Sequence, residues 1–319
     1  MTRRRPALVL LVAIAAGGAA LALALGGCGF GPGDALKGGA RLNVSRDFGH
    51  SLLDSAKVTQ VRQSDTVMRF LQAAHSKVET RYGGNFVQGI DGLAGDRAAR
   101  RDWFYYVNGI EADVGASDYS LSPGDRIQWD YHSWRATMRV PAIVGAYPEP
   151  LLHGTHGRRL PVAVECEHAG SPTCRDVAKR LGDAGVVATG AAIGGAAGKQ
   201  VARVLVGRWS AIRRLLAAQP LTDPPARSGV FARFTGSGAG TLEFLNDAGG
   251  VARVAPPGTG LVAARAPEGQ GPVWLVTGVD DAGVTRAAGA LSEAKLHDAF
   301  AVAVTPTATV RLPVEPGGG

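Results

Sequence analysis

Apolar and polar residues alternate at Leu42 and Val44 and again through Ala56-Lys57-Val58-Thr59-Gln60-Val61, the period of half-buried strands. Val67, Phe70, Leu71 and Ala74 then fall on one face at helical spacing. With Ser64 placed to cap it, residues 64–71 read as a helix. Further strands are predicted at 78–82, 86–90, 103–107 and 126–131, separated by turns at Gly92, Asn108-Gly109 and Pro123-Gly124-Asp125. Two strands, a helix and more strands describe an α+β domain over residues 41–140, its helix packed on a mixed sheet. Pro, Gly and His then interrupt residues 141–157, which read as the interdomain connection. Beyond it, strands at 162–166, 186–189, 204–207, 273–278 and 301–304 are interleaved with helices at 173–184, 210–218 and 281–291. Repeated strand–Gly–helix units predict an α/β domain over 158–312, with residues 242–264 as hairpins on its edge. Residues 313–319, rich in Pro and Gly, read as a disordered tail.

The first residues belong to another problem. Arg3, Arg4 and Arg5 precede an almost purely apolar run ending in Leu25-Gly26-Gly27-Cys28. A basic start and an apolar stretch are the parts of an export signal. The ending resembles the lipobox of bacterial lipoproteins. That resemblance implies a signal peptide over 1–28, lipid on Cys28 and attachment to the outer face of the cell membrane. Two acyl chains, at roughly 0.8 kcal/mol per buried methylene, hold where one does not. An uncleaved membrane helix is the alternative, since the run approaches spanning length; the Leu-small-small-Cys ending argues against it. Pro6 and Ala7 do not complete a twin-arginine pattern, so the export route stays open. Residues 29–40 then form a Gly-rich tether.

Export sets the redox compartment. With Cys28 committed to lipid, Cys166 and Cys174 remain, and outside the cytoplasm two thiols at short spacing read as a disulfide. A metal site with His168 would have only three ligands there. The net charge of +7 falls to +4 once the three signal arginines leave, and no basic run with interleaved aromatics remains, so nucleic acid is not an expected partner.

Chemistry concentrates between Trp103 and Trp134, which hold eight of the chain's 20 aromatics. Alternation sends Trp103, Tyr105 and Val107 to one face, the better candidate for the core, and Phe104, Tyr106 and Asn108 to the other. It likewise separates Ile127, Trp129 and Tyr131 from Gln128, Asp130, His132 and Trp134. Aromatics with polar tips suit a flat, partly polar ligand; packing against the 158–312 domain is the equal alternative.

The elements Gln88-Gly89-Ile90-Asp91-Gly92-Leu93, Trp103-Phe104-Tyr105-Tyr106-Val107-Asn108-Gly109 and Pro123-Gly124-Asp125-Arg126-Ile127-Gln128-Trp129-Asp130-Tyr131 resemble the transcobalamin-like C-terminal domain family. The resemblance spans about residues 41–134 and implies a β-grasp fold that helps cover bound cobalamin. It makes Phe104, Tyr106 and Trp134 an apolar platform, with Asn108 and His132 as polar handles. The large helical partner domain of transcobalamin is not present here. Capture of a corrinoid or related cofactor for an uptake transporter is one expectation; the other is an envelope structural or interaction protein whose aromatic face binds a partner or its own second domain.

Other motifs fall short. Gly194-Gly195-Ala196-Ala197-Gly198-Lys199-Gln200 has Ile193 where a phosphate loop needs its first Gly, and Gln200 where it needs Ser or Thr. His153 and His156 sit in the broken connector without a completing ligand. Neither a nucleophile motif nor a paired acid–base set is visible, so a non-enzymatic protein is expected.

Overall fold

The computed structural model describes residues 33–75, 77–196 and 198–315; the expected signal peptide, Cys28 with the expected lipobox and residues 316–319 lie outside these. Among the described residues, no helix is long and apolar enough to cross a membrane.

The N-terminal domain consists of β1 (Ala40–Arg46), β2 (Ser51–Val58), β3 (Val78–Arg81), β4 (Phe86–Ile90), β5 (Leu93–Ala94), β6 (Arg101–Val107), β7 (Ile110–Glu111) and β8 (Arg126–Ser133), with one helix, α1 (Val67–Ala74). Its main sheet has the order β2-β1-β8-β6-β7, and β3-β4-β5 form a small second sheet. Strands β1 and β8 run parallel at the centre, whereas the flanking pairs are antiparallel. Period-2 alternation places Leu42, Val44, Trp103, Val107, Ile127 and Trp129 on the face that packs with Val67, Phe70 and Leu71 of α1. Full burial of each such side chain contributes roughly 1.5–3 kcal/mol. The helix starts two residues later than Ser64 would set it. Asp65 accepts the Arg62 N–H and holds a turn there, while the Thr66 hydroxyl caps α1 by accepting the Arg69 N–H at 3.2 Å.

The tether is shorter than composition suggests. Leu36 donates its N–H to the Val61 carbonyl, Val61 donates to Gly38, and Gln63 donates to Asp34. These bonds knit residues 34–38 onto the domain, with Leu36 partly buried against the core.

The second domain contains β9 (Val162–Cys166), β10 (Ala188–Ala192), β11 (Ala202–Arg208), β12 (Ala232–Thr235), β13 (Thr241–Leu245), β14 (Val251–Val254), β15 (Gly260–Arg265), β16 (Val273–Gly278), β17 (Ala301–Val304) and β18 (Thr309–Leu312). Helices α2 (Pro172–Asp183) and α3 (Asp281–Ala288) accompany them. Seven strands form one sheet in the order β10-β9-β11-β16-β15-β17-β18, parallel from β10 to β16 and antiparallel beyond. Strands of this kind are apolar on both faces because both faces are covered. Val204, Val206, Trp274 and Val276 point toward α2 and α3. Leu205, Val273 and Leu275 point toward Trp209, Phe234, Phe244 and the three-stranded sheet β12-β13-β14. Gly283 lets α3 press onto the start of β15, since a Cβ there would lie 2.4 Å from the Thr259 carbonyl oxygen.

Three expectations for this domain need correction. The helix expected over 210–218 is a single turn, Trp209–Ile212; the Ala217 carbonyl is instead taken by the Arg265 guanidinium at 2.6 Å, and Pro220 cannot continue a helix. Residues 241–254 form the expected hairpin, but β15 lies between β16 and β17 inside the main sheet, because Leu261 to Ala264 are apolar toward both cores. Finally, the segment read as the start of a tail is fixed: Val314 is buried and donates its N–H to the Leu245 carbonyl at 2.9 Å.

Cys166 and Cys174 form a disulfide with Cα atoms 6.1 Å apart. It fastens the end of β9 to the first turn of α2, where the Ser171 hydroxyl accepts the Cys174 N–H. A loop this short contributes roughly 2–3 kcal/mol by restricting the unfolded chain.

Candidate functional site

The second face of the N-terminal sheet is a buried seam between the domains. At its centre the Asp130 carboxylate, fully buried, accepts four hydrogen bonds: from the Ser45 hydroxyl (2.6 Å), the Phe48 N–H (2.9 Å), the Gly49 N–H (2.8 Å) and His132 Nδ1 (2.9 Å). Asp47, Phe48 and Gly49 all have positive φ, an arrangement that is strained for a bulky residue such as Phe48. The carboxylate holds that turn and aims the Phe48 ring into the second domain, against Phe231 at 4.8 Å and Phe300 at 5.1 Å.

The connector 141–157 is packed into the same seam. Val144 donates to the Phe300 carbonyl and Asp298 donates back to Gly145. Gln128 reaches the Asp298 carbonyl at 3.0 Å, and Asn43 donates to the Asp298 carboxylate at 2.7 Å. Burial pushes that carboxyl above its usual value, against the lowering effect of Asn43 and His297. At the rim, Glu293 pairs with Arg41 and Arg126 across the domains.

The three residues expected as a platform and the two expected as polar handles divide between two places. Tyr106 is buried with its ring 5.4 Å from Phe300. His132 is buried between Phe48 and Phe104, whose rings lie 4.4 Å from it on either side. Asn108 is also buried; its amide donates to Asp125 and to the Gly154 carbonyl, and its carbonyl oxygen accepts the Arg126 N–H. It therefore fixes a turn to the connector. Only Phe104 and Trp134 remain partly open.

Those two line a groove of about 600 Å³ that also contains Tyr82, Phe86, Asp102 and Met138. Tyr82 projects from the turn between β3 and β4, 81% exposed, and meets Phe86 edge-on at 6.2 Å. Arg81, Arg97 and Gln88 supply polar margins. The Asp102 carboxylate accepts its neighbour's Trp103 N–H at 2.9 Å, and burial pushes its carboxyl up despite that bond and the nearby Arg81. Trp103 itself donates from the indole to the Leu93 carbonyl and closes the inner side. Alternation found Phe104 and Trp134, but Tyr82 and Met138 come from separate segments. The one available signal was an aromatic set before Gly83-Gly84 between two strands.

Other motifs are accounted for structurally. The Gly194 N–H is bound by Glu165, which also pairs with Arg203. His153 donates from Nδ1 to the Glu149 carboxylate at 2.6 Å, and His156 stacks on Tyr119 at 4.3 Å. Among the described residues, no group of three or more His, Cys, Asp or Glu side chains is placed to hold a metal ion.

Residues 64–133 match a family described as a domain of unknown function (DUF4430). Among solved structures, the chain is similar to a putative metal binding protein from Ruminococcus gnavus ATCC 29149, at 12% identity and a TM-score of 0.24, over 30% of this chain and 95% of that one. It is also similar to haptocorrin in complex with Cbi, at 16% identity and a TM-score of 0.25, over 30% of this chain and 25% of that one. The chain thus spans about a quarter of haptocorrin. No curated protein matches it.

Proposed function

We propose that this protein is an extracytoplasmic, lipid-anchored binding protein without catalytic activity. Its N-terminal domain is a β-grasp module of the transcobalamin-like kind, and its ligand site is the groove at Phe104 and Trp134. The observation that carries the reading is the groove itself: a space of about 600 Å³ lined by the aromatic rings of Tyr82, Phe86, Phe104 and Trp134 together with the polar side chains of Arg81, Gln88 and Arg97. The parallel pairing of β1 with β8, with α1 across one face, supports the β-grasp assignment. The disulfide supports an oxidising compartment, where such bonds persist. The second domain serves as a scaffold, because it covers the face that would otherwise leave Phe48, Tyr106 and His132 in water.

The corrinoid version of this reading is tested by titrating cobalamin into the purified chain and following tryptophan quenching. Loss of a stacked aromatic is worth roughly 0.5–1.5 kcal/mol beyond its area. Phe104→Ala and Trp134→Ala should therefore each weaken binding by about two- to tenfold. Absence of binding at high micromolar cobalamin removes the corrinoid, and with it uptake by a corrinoid transporter; binding that is indifferent to both substitutions moves the site elsewhere.

Anchoring has its own test. Cells fed a fatty-acid analogue should label the wild-type protein and not Cys28→Ser, and equal label on both would reject the lipid anchor.

A further inference from the structure

Several arginines of this chain hold carboxylates: Arg101 pairs with Asp47, Arg126 with Glu293, Arg203 with Glu165, Arg208 with Glu167 and Arg233 with Glu243. The arginines around the groove do not. Arg81 and Arg97 line it and Arg100 lies over the Trp134 ring at 5.9 Å, and none of the three guanidinium groups takes part in an ion pair or side-chain hydrogen bond among the described residues, although Arg81 lies near enough to Asp102 to pull its carboxyl down against the effect of burial. The only acid of the lining, Asp102, is partly buried, bonded to the Trp103 N–H and packed where a Cβ on Gly95 would lie 2.6 Å from its Oδ1. The groove therefore combines flat rings with a positive rim whose guanidinium groups have no ion-pair partner, offset only by the charge of Asp102 near Arg81.

Tyr82 adds an independent sign. It has φ +51° and is followed by Gly83 and Gly84 at +72° and +97°, so a large ring is held out in water on a left-handed turn. That costs backbone strain and apolar exposure together, a combination found at ligand clamps. A flat molecule seated in the groove would cover this ring.

We propose that the ligand of this groove is a planar, conjugated molecule bearing a peripheral phosphate or carboxylate, stacked against Tyr82 and Trp134 with its anionic group on Arg81 and Arg97. The inference rests on the groove being the ligand site, and adds the chemical class of what it takes. Aromatic faces supply affinity for any flat ring; the guanidinium fork supplies the choice of an anionic one.

Riboflavin and riboflavin 5′-phosphate are suitable probes because they share one ring system and differ by a phosphate. Polarisation of flavin fluorescence would be measured with the full-length chain in neutral detergent. The phosphate form should bind about five- to tenfold more tightly at low salt, and the difference should shrink in 0.5 M salt on the order expected for exposed charges. Arg81→Gln and Arg97→Gln should each cost about two- to fivefold for the phosphate form and leave riboflavin unchanged. Asp102→Asn keeps the acceptor for the Trp103 N–H, removes the acid, and should tighten the phosphate form. Equal affinity for both flavins overturns the anionic class while leaving the groove reading intact. Binding of neither at about 1 mM overturns both, as does phosphate-dependent binding that survives Trp134→Ala and the two arginine substitutions together.

Discussion

Asp130→Ala should lower the stability of the protein by about 3–5 kcal/mol in equilibrium denaturation, the larger of the effects expected from any single polar substitution in the seam. Four donors converge on this carboxylate, and two of them, the Phe48 and Gly49 N–H groups, have no other acceptor among the described residues, while the Ser45 hydroxyl also points at the Trp129 carbonyl at 3.3 Å. Each buried donor left unsatisfied costs roughly 1–3 kcal/mol. The loss also frees a left-handed turn whose purpose is to drive Phe48 into the neighbouring domain. Asn in place of Asp should be almost as harmful, because its NH₂ group would face donors. Asp113→Ala, at an exposed site, serves as the control and should melt like the parent. If Asp130→Ala also melts like the parent, the carboxylate is not what holds the turn.

Much of the N-terminal domain could be read from the chain. Side chains on a strand alternate strictly, so Trp103 and Val107 separate from Phe104 and Tyr106 whatever the rest of the fold does. Alternation does not say what covers the second face. Phe48 sits in a turn and Phe300 just ahead of β17, positions where no periodicity marks a core residue. The two readings of the aromatic face, ligand or own domain, therefore stood level, and the packing divides them: Tyr106, Asn108 and His132 lie in the seam, while Phe104 and Trp134 reach the groove.

In the second domain the misplacement of β15 has a similar origin. Pro256-Pro257-Gly258 before it looks like hairpin punctuation, yet Leu261-Val262-Ala263-Ala264 lacks any polar alternate, which is the mark of a strand buried on both sides. The Gly-rich start was misjudged for the opposite reason. Composition suggested a free tether, but backbone groups have no composition, and those of residues 34–38 find partners in 61–63.

Phe300→Ala should cost about 3–5 kcal/mol, the range for removing a buried aromatic. Its ring stands nearly perpendicular to three others, Phe48 at 5.1 Å, His132 at 5.3 Å and Tyr106 at 5.4 Å, so it is the most connected aromatic contact by which the second domain grips the first. Edge-to-face geometry adds about 0.5–1.5 kcal/mol beyond area for such pairs. The parent should unfold in one transition and the variant in two, since the seam is what couples the domains. Asp130→Ala and Phe300→Ala both release Phe48, and their combination should therefore fall short of the sum by about 1 kcal/mol or more. Strict additivity would mean that the turn and the aromatic cluster act separately. The groove provides the functional readout. Phe104 stacks on His132 at 4.4 Å, and His132 in turn meets Phe300, so one wall of the site rests on this cluster. Phe300→Ala should weaken ligand binding and stability together, whereas Trp134→Ala should weaken binding at nearly unchanged stability, because Trp134 is only partly buried and lies outside the seam.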